Sequence, residues 1–132
     1  MNVDVALTVW GPSSEVVALR GLPVGHWWRE GDAIPSGSGM VRPENGWRVE
    51  SGVPPHRSLE EHIRALRALV APYREVIAKA ALANHAELSI GLQLDLRSTE
   101  VHLPADLVSS LAALGCSLDI DVSPYVPGED DS

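Results

Sequence analysis

The chain contains no phenylalanine and a single cysteine, Cys116. One thiol excludes an internal disulfide and a zinc site built from several cysteines. Cationic side chains are scarce: ten Lys and Arg stand against eighteen Asp and Glu, a formal charge of −8. Binding to a nucleic-acid backbone draws most of its affinity from clustered Lys and Arg, so that class is disfavoured, as is an anionic membrane surface. No apolar run approaches the length needed to cross a bilayer. Met1-Asn2-Val3-Asp4 opens directly on an alternating pattern instead of a basic-then-apolar leader, so a cytoplasmic location is expected. Also missing are a Gly-x-Ser-x-Gly elbow, a phosphate loop and a dinucleotide fingerprint. His26, His56, His62, His85 and His102 show no ligand spacing, and His62 and His85, near helix ends, read as surface positions. Cys116, just after a helix exit at Gly115, reads as a small core residue and not a nucleophile. No cofactor is expected.

What the chain does have is enough length and apolar content, 132 residues and 45%, to bury one core without staples. One domain is expected over 1–127, followed by an acidic, flexible tail over 128–132. Val3, Val5, Leu7 and Val9 alternate with Asp4, Ala6, Thr8 and Trp10, the period of a strand with one buried face. Gly11-Pro12-Ser13-Ser14-Glu15 starts a short helix that carries Val16, Val17 and Leu19 and stops at Gly21. Between Val24 and Gly46 no period holds, which implies an extended segment near 24–29 and a flexible loop over 33–44.

A strand is expected from Gly46 to Ser51, with Trp47 and Val49 on one face and Arg48 and Glu50 on the other. Ser58-Leu59-Glu60-Glu61 is a capping box, in which Ser58 accepts from the Glu61 amide and Glu61 reaches back. Leu59, Ile63, Leu66, Leu69 and Val70 line one face of the helix it opens. Pro72 kinks or restarts that helix, which runs on to about Asn84. Leu88, Ile90, Leu92, Leu94 and Leu96 mark another half-buried strand. Pro104-Ala105-Asp106 opens a last helix with a Leu107, Leu111, Leu114 stripe, and Leu118, Ile120 and Val122 alternate with Asp119 and Asp121 in a final strand. Helices and strands are interspersed, so the class is α+β. A single layered domain is expected, with a sheet of four or five mostly antiparallel strands, helices packed on one face and part of the other face in water.

Several short pieces in this order resemble a bacterial family known only as domain of unknown function 4279. They are Pro12-Ser13-Ser14-Glu15 leading to Gly21-Leu22-Pro23, Trp28-Arg29-Glu30-Gly31-Asp32, and Gly46-Trp47-Arg48-Val49-Glu50-Ser51. Leu59-Glu60-Glu61-His62-Ile63 and Leu118-Asp119-Ile120-Asp121 complete the set, which spans nearly the whole chain. The resemblance implies an architecture and no activity.

Three of the four tryptophans lie in the irregular stretch or the strand after it, beside arginines and carboxylates. Large aromatics outside periodic elements either cover the end of a core or wait for a partner. If the two Trp-Arg segments pack side by side, Trp28, Arg29, Asp32, Trp47, Arg48 and Glu50 form one patch, the candidate binding site for a protein or peptide. The competing reading makes the same residues structural, with Arg29 paired to a nearby carboxylate. Asp119 and Asp121 share a strand face, and Asp95 on a paired strand would add a third carboxylate. Such a set could hold a hard cation in a small metal-dependent enzyme, or simply be a solvated strand face. A structural homodimer through an open sheet edge is the third reading. The size and acidity of the chain also suit an immunity or inhibitor-type protein.

Overall fold

Nine residues of alternating phase, Asn2–Trp10 (β1), form the strand around which the rest is assembled. The computed structural model describes residues 1–94 and 101–124. The tail expected at 128–132, Asp95 and Leu96 lie outside the described residues. After β1 come α1 (Ser14–Ala18), whose last turn tightens at Leu19–Gly21, then β2 (His26–Trp28) and β3 (Gly46–Glu50). Next are α2 (Leu59–Val70), a 3-10 turn at Ala71–Tyr73, and α3 (Arg74–Ala83). The series ends with β4 (His85–Leu94), α4 (Ala105–Ala113) and β5 (Ser117–Pro124).

The sheet order is β2-β3-β1-β4-β5. The first three pairings are antiparallel and the last, β4 with β5, is parallel. A parallel pair needs a crossover, and α4 lies on that connection. The α+β expectation therefore holds, with five strands and one parallel joint. Val3, Val5, Leu7 and Val9 of β1, Trp47 and Val49 of β3, and Ala86, Leu88, Ile90 and Leu92 of β4 all face one core. That core is completed by Val16 and Leu19 beside α1, by Leu59, Ile63, Leu66 and Val70 of α2, by Ile77, Ala80 and Ala81 of α3, and by Leu107 of α4. Helices thus cover one face of the sheet. The other presents Asn2, Asp4, Thr8, Arg48, Glu50, Glu87 and Ser89, because successive residues of a strand point to opposite sides.

The Ser58 hydroxyl accepts from the Glu61 amide at 3.1 Å, while the Glu61 carboxylate sits 3.9 Å from Arg57 instead of closing back on Ser58. The kink at Pro72 is a single 3-10 turn between two helices, as its missing N–H allows at a first-turn position. Other details also differ from the sequence expectation. Leu69 lies at the margin of the apolar face of α2 and is exposed, while His62 occupies the face itself and is 1% exposed. An imidazole can be buried when both nitrogens find partners, and this one does. The segment 33–44 contains local pairing that the sequence did not predict. Ala33 and Val41 form a β-bridge, and Gly31, Ile34 and Arg42 each donate a backbone N–H across the turn.

Candidate functional site

Sheet register decides what the tryptophans can do. Trp28 lies opposite Gly46, and Trp47 lies opposite Trp27. Trp28 and Trp47 are thus one residue out of phase and project from opposite faces of the sheet. The expected convergence of their rings does not occur. Trp47, 1% exposed, enters the core beneath the helices, and its indole N–H donates to the Val24 carbonyl at 3.0 Å. Trp27 stands beside it, donates to the Val16 carbonyl at 3.3 Å and carries the Arg20 guanidinium 5.3 Å from its ring centroid. Both close the end of the core.

Trp28 projects to the other face of the sheet but is itself only 8% exposed, with Arg42 over its ring. Its ring spreads over Gly46, where any β-carbon would overlap it. Its N–H donates to the Glu44 carbonyl at 3.1 Å, and the Arg42 guanidinium sits 4.2 Å above the ring. Arg48 projects from the same face, donates to the Thr8 hydroxyl at 3.3 Å and approaches Glu50 at 3.7 Å. Trp28, Arg48 and Glu50 therefore do share a surface, as Trp47 does not. Arg29 and Asp32 belong to the turn beyond β2. There the Asp32 carboxylate accepts the backbone N–H of Arg29 at 2.8 Å, so it is the Arg29 amide, not its side chain, that the carboxylate engages.

Thr8, Trp10, Trp28, Arg42, Pro43, Glu44 and Arg48 line a shallow concavity of about 280 Å³. Trp10, Arg42 and Glu44 were not singled out from the sequence. Trp10 offered a signal, because it occupies the polar phase of β1 and is displayed on the bare face. There it stacks on His85 at 5.5 Å.

The opposite end of the same face is acidic. Asp4, Gly91 and Asp121 occupy one row across β1, β4 and β5, and Asp119 lies level with Ser89. The Asp4 carboxylate rests over Gly91, in the space a side chain there would fill. Asp119 and Asp121 share a strand face as expected, whereas Asp95 lies outside the described residues. Among the described residues no group of three or more His, Cys, Asp or Glu is arranged to hold a metal ion.

Two buried or clustered features were not read as such from the sequence. The His62 Nε2 lies 3.1 Å from the Pro54 carbonyl, which can only accept, so Nε2 carries the proton. Nδ1 is hydrogen-bonded with the Ser51 hydroxyl, 2.6 Å away. With Val53 N–H donating to the same hydroxyl at 3.4 Å, the pair ties the exit of β3 to α2. On the helix side, a concavity of about 640 Å³ runs past Arg64, Arg67 and Arg74 over a floor that includes Ala68, Val70 and Leu114. Arg64 is held by Glu60 at 2.7 Å, and both Arg64 and Arg67 reach Asp106 at 3.3 Å. Cys116 donates weakly to the Leu111 carbonyl at 3.6 Å, and burial pushes its thiol up, away from the reactive thiolate.

The fold and this surface define a class: an α+β domain with helices on one side and a bare, charge-divided sheet face on the other. The chain belongs to the family described as domain of unknown function (DUF4279), whose model matches residues 1–125. No curated protein and no solved structure matches it. Among the described residues, no helix is long and apolar enough to cross a membrane.

Proposed function

We propose that this protein is a non-enzymatic, cytoplasmic binding module that holds a protein or peptide on the bare face of its sheet. The observation that carries the reading is the Trp28-Arg42-Arg48 arrangement. Two guanidiniums are already positioned, one over an indole and one on a threonine hydroxyl, beside Trp10 on an uncovered surface. Tryptophan and arginine dominate the energetics of protein interfaces, and side chains fixed beforehand lose less entropy on docking. The concavity is smaller than the roughly 300–1,000 Å³ usual for enclosed small-molecule sites, which favours a flat macromolecular contact. A formal charge of −8 and the acidic half of the face suit a basic partner. A stoichiometric inhibitor, such as an immunity-type protein that neutralises a basic toxin, is the specific form of this reading.

The test compares affinity capture from the native host by the wild-type protein and by an Arg42→Ala/Arg48→Ala variant with an unchanged melting temperature. A partner held in stoichiometric amount by the first and lost by the second supports the reading. A partner retained equally by both removes the tryptophan–arginine surface from consideration.

A further inference from the structure

β5 is one edge of the sheet, and unlike the three-residue β2 at the other edge it is exposed at every position. One of its edges pairs with β4 from Ser117 to Pro124, and no described strand pairs with the other. Backbone N–H and C=O groups along that free edge point away from the sheet, where they can template a further strand. Proteins blunt such edges by keeping them short or interrupting them with proline. β5 has eight residues and no proline before its last position, Pro124. Its apolar row is also unfinished, with Leu118, Ile120 and Val122 exposed by 52%, 48% and 54%. α4 buries Leu107 but leaves this row about half in water.

The charges decide what can complete it. Asp119 and Asp121 stand on the bare-face side of β5, and none of the described cations forms an ion pair with them. A second copy adding antiparallel with both apolar rows on the helix side sets carboxylate against carboxylate when centred on 119, 120 or 121, and like charges directly opposite are destabilising. The chain's own terminal Glu129, Asp130 and Asp131 carry the same sign. A strand with Arg or Lys at those positions meets attraction instead, and apolar residues between them would cover the row on the helix side.

We infer that the free edge of β5 accepts an extended segment of a partner protein as a sixth strand, its apolar residues alternating with Arg or Lys. Asp119 and Asp121 select the basic strand and turn away both a second copy and an acidic one. This surface lies at the other edge of the sheet from Trp28 and stands independently of the function proposed above.

The experiment uses the full chain and two end-capped synthetic peptides of equal composition. One alternates Val and Arg, and the other groups the arginines together. Fluorescence anisotropy at about 150 mM salt, where long-range attraction is screened, is expected to favour the alternating peptide by about tenfold or more. Amide exchange should slow at residues 117–123, and Asp119→Asn/Asp121→Asn should abolish the preference while leaving the exchange of β1 unchanged. The Arg42→Ala/Arg48→Ala variant should bind the peptide normally, which separates this outcome from failure of the tryptophan–arginine site. Equal binding of the two peptides, protection appearing elsewhere than on β5, or dimerisation of the protein alone in light scattering with protection of β5 would each overturn the inference.

Discussion

The two ends of the sheet contrast in a way that reverses the impression given by composition. At the β2–β3 end three tryptophans sit on two short strands flanked by irregular segments, and each indole N–H has its own carbonyl: Val16 for Trp27, Glu44 for Trp28 and Val24 for Trp47. At the β4–β5 end an ordinary alternating strand leaves its apolar row half exposed and one edge unpaired by any described strand. A buried indole needs an acceptor, so large aromatics on short strands can organise the adjoining loops that supply it. The irregular region is therefore the finished part of the fold, and the regular strand is the unfinished one.

The largest effect that would break this comparison is a truncation at each end. Trp47→Ala removes a fully buried ring and should cost about 3–5 kcal/mol in urea unfolding. Ile120→Ala, on the half-exposed row, should cost under about 1 kcal/mol. Comparable losses would mean that β5 is as well packed as β3.

Adding a methyl group instead of removing one sharpens the contrast. At Gly46 a β-carbon would overlap the Trp28 ring, which is pinned by Glu44 and Arg42. Gly46→Ala should therefore cost about 1–3 kcal/mol, as overpacking does, and should shift the Trp28 fluorescence. At Gly91 the atoms in the way are the tip of the Asp4 side chain, which is exposed and can swing outward. Gly91→Ala should remain within about 0.5 kcal/mol of wild type.

This asymmetry also explains what the sequence could and could not disclose. The α+β class, the phase of Trp47 and Val49 against Arg48 and Glu50, and the break at Pro72 are local properties of period and backbone chemistry. They were legible. That Trp28 and Trp47 face opposite ways depends on whether residue 28 pairs with 46 or with 47, and a one-residue difference reverses every side chain. No signal within either segment specifies it. His62 is a similar case: it falls one position before Ile63 on the buried arc of α2, but its burial depends on Ser51 and Pro54, which arrive from a different element. Asp119 and Asp121 were placed correctly on one strand face, whereas the Asp4 carboxylate over Gly91 required the strand order.

The smallest expected effect concerns how the weaker end is attached. α4, on the crossover into β5, is tied to α2 by Asp106, which accepts from both Arg64 and Arg67. Some loss of hydration pushes the Asp106 carboxyl up, but the Arg67 hydrogen bond and the nearby Arg64 charge outweigh it and hold the group below its ordinary value. A carboxyl with a lowered folded-state pKa contributes stability that is complete above its unfolded value, near 4, and fades as pH falls through the folded one. The contribution is modest because all three side chains are solvent-exposed and screened. Acidification below about pH 4 should therefore speed amide exchange in α4 and β5 before it does so in β3. Asp106→Asn should remove that acid-dependent difference while leaving exchange in β3 as in wild type. Equal loosening of both ends in wild type would show that the clamp does not set the stability of the β5 side.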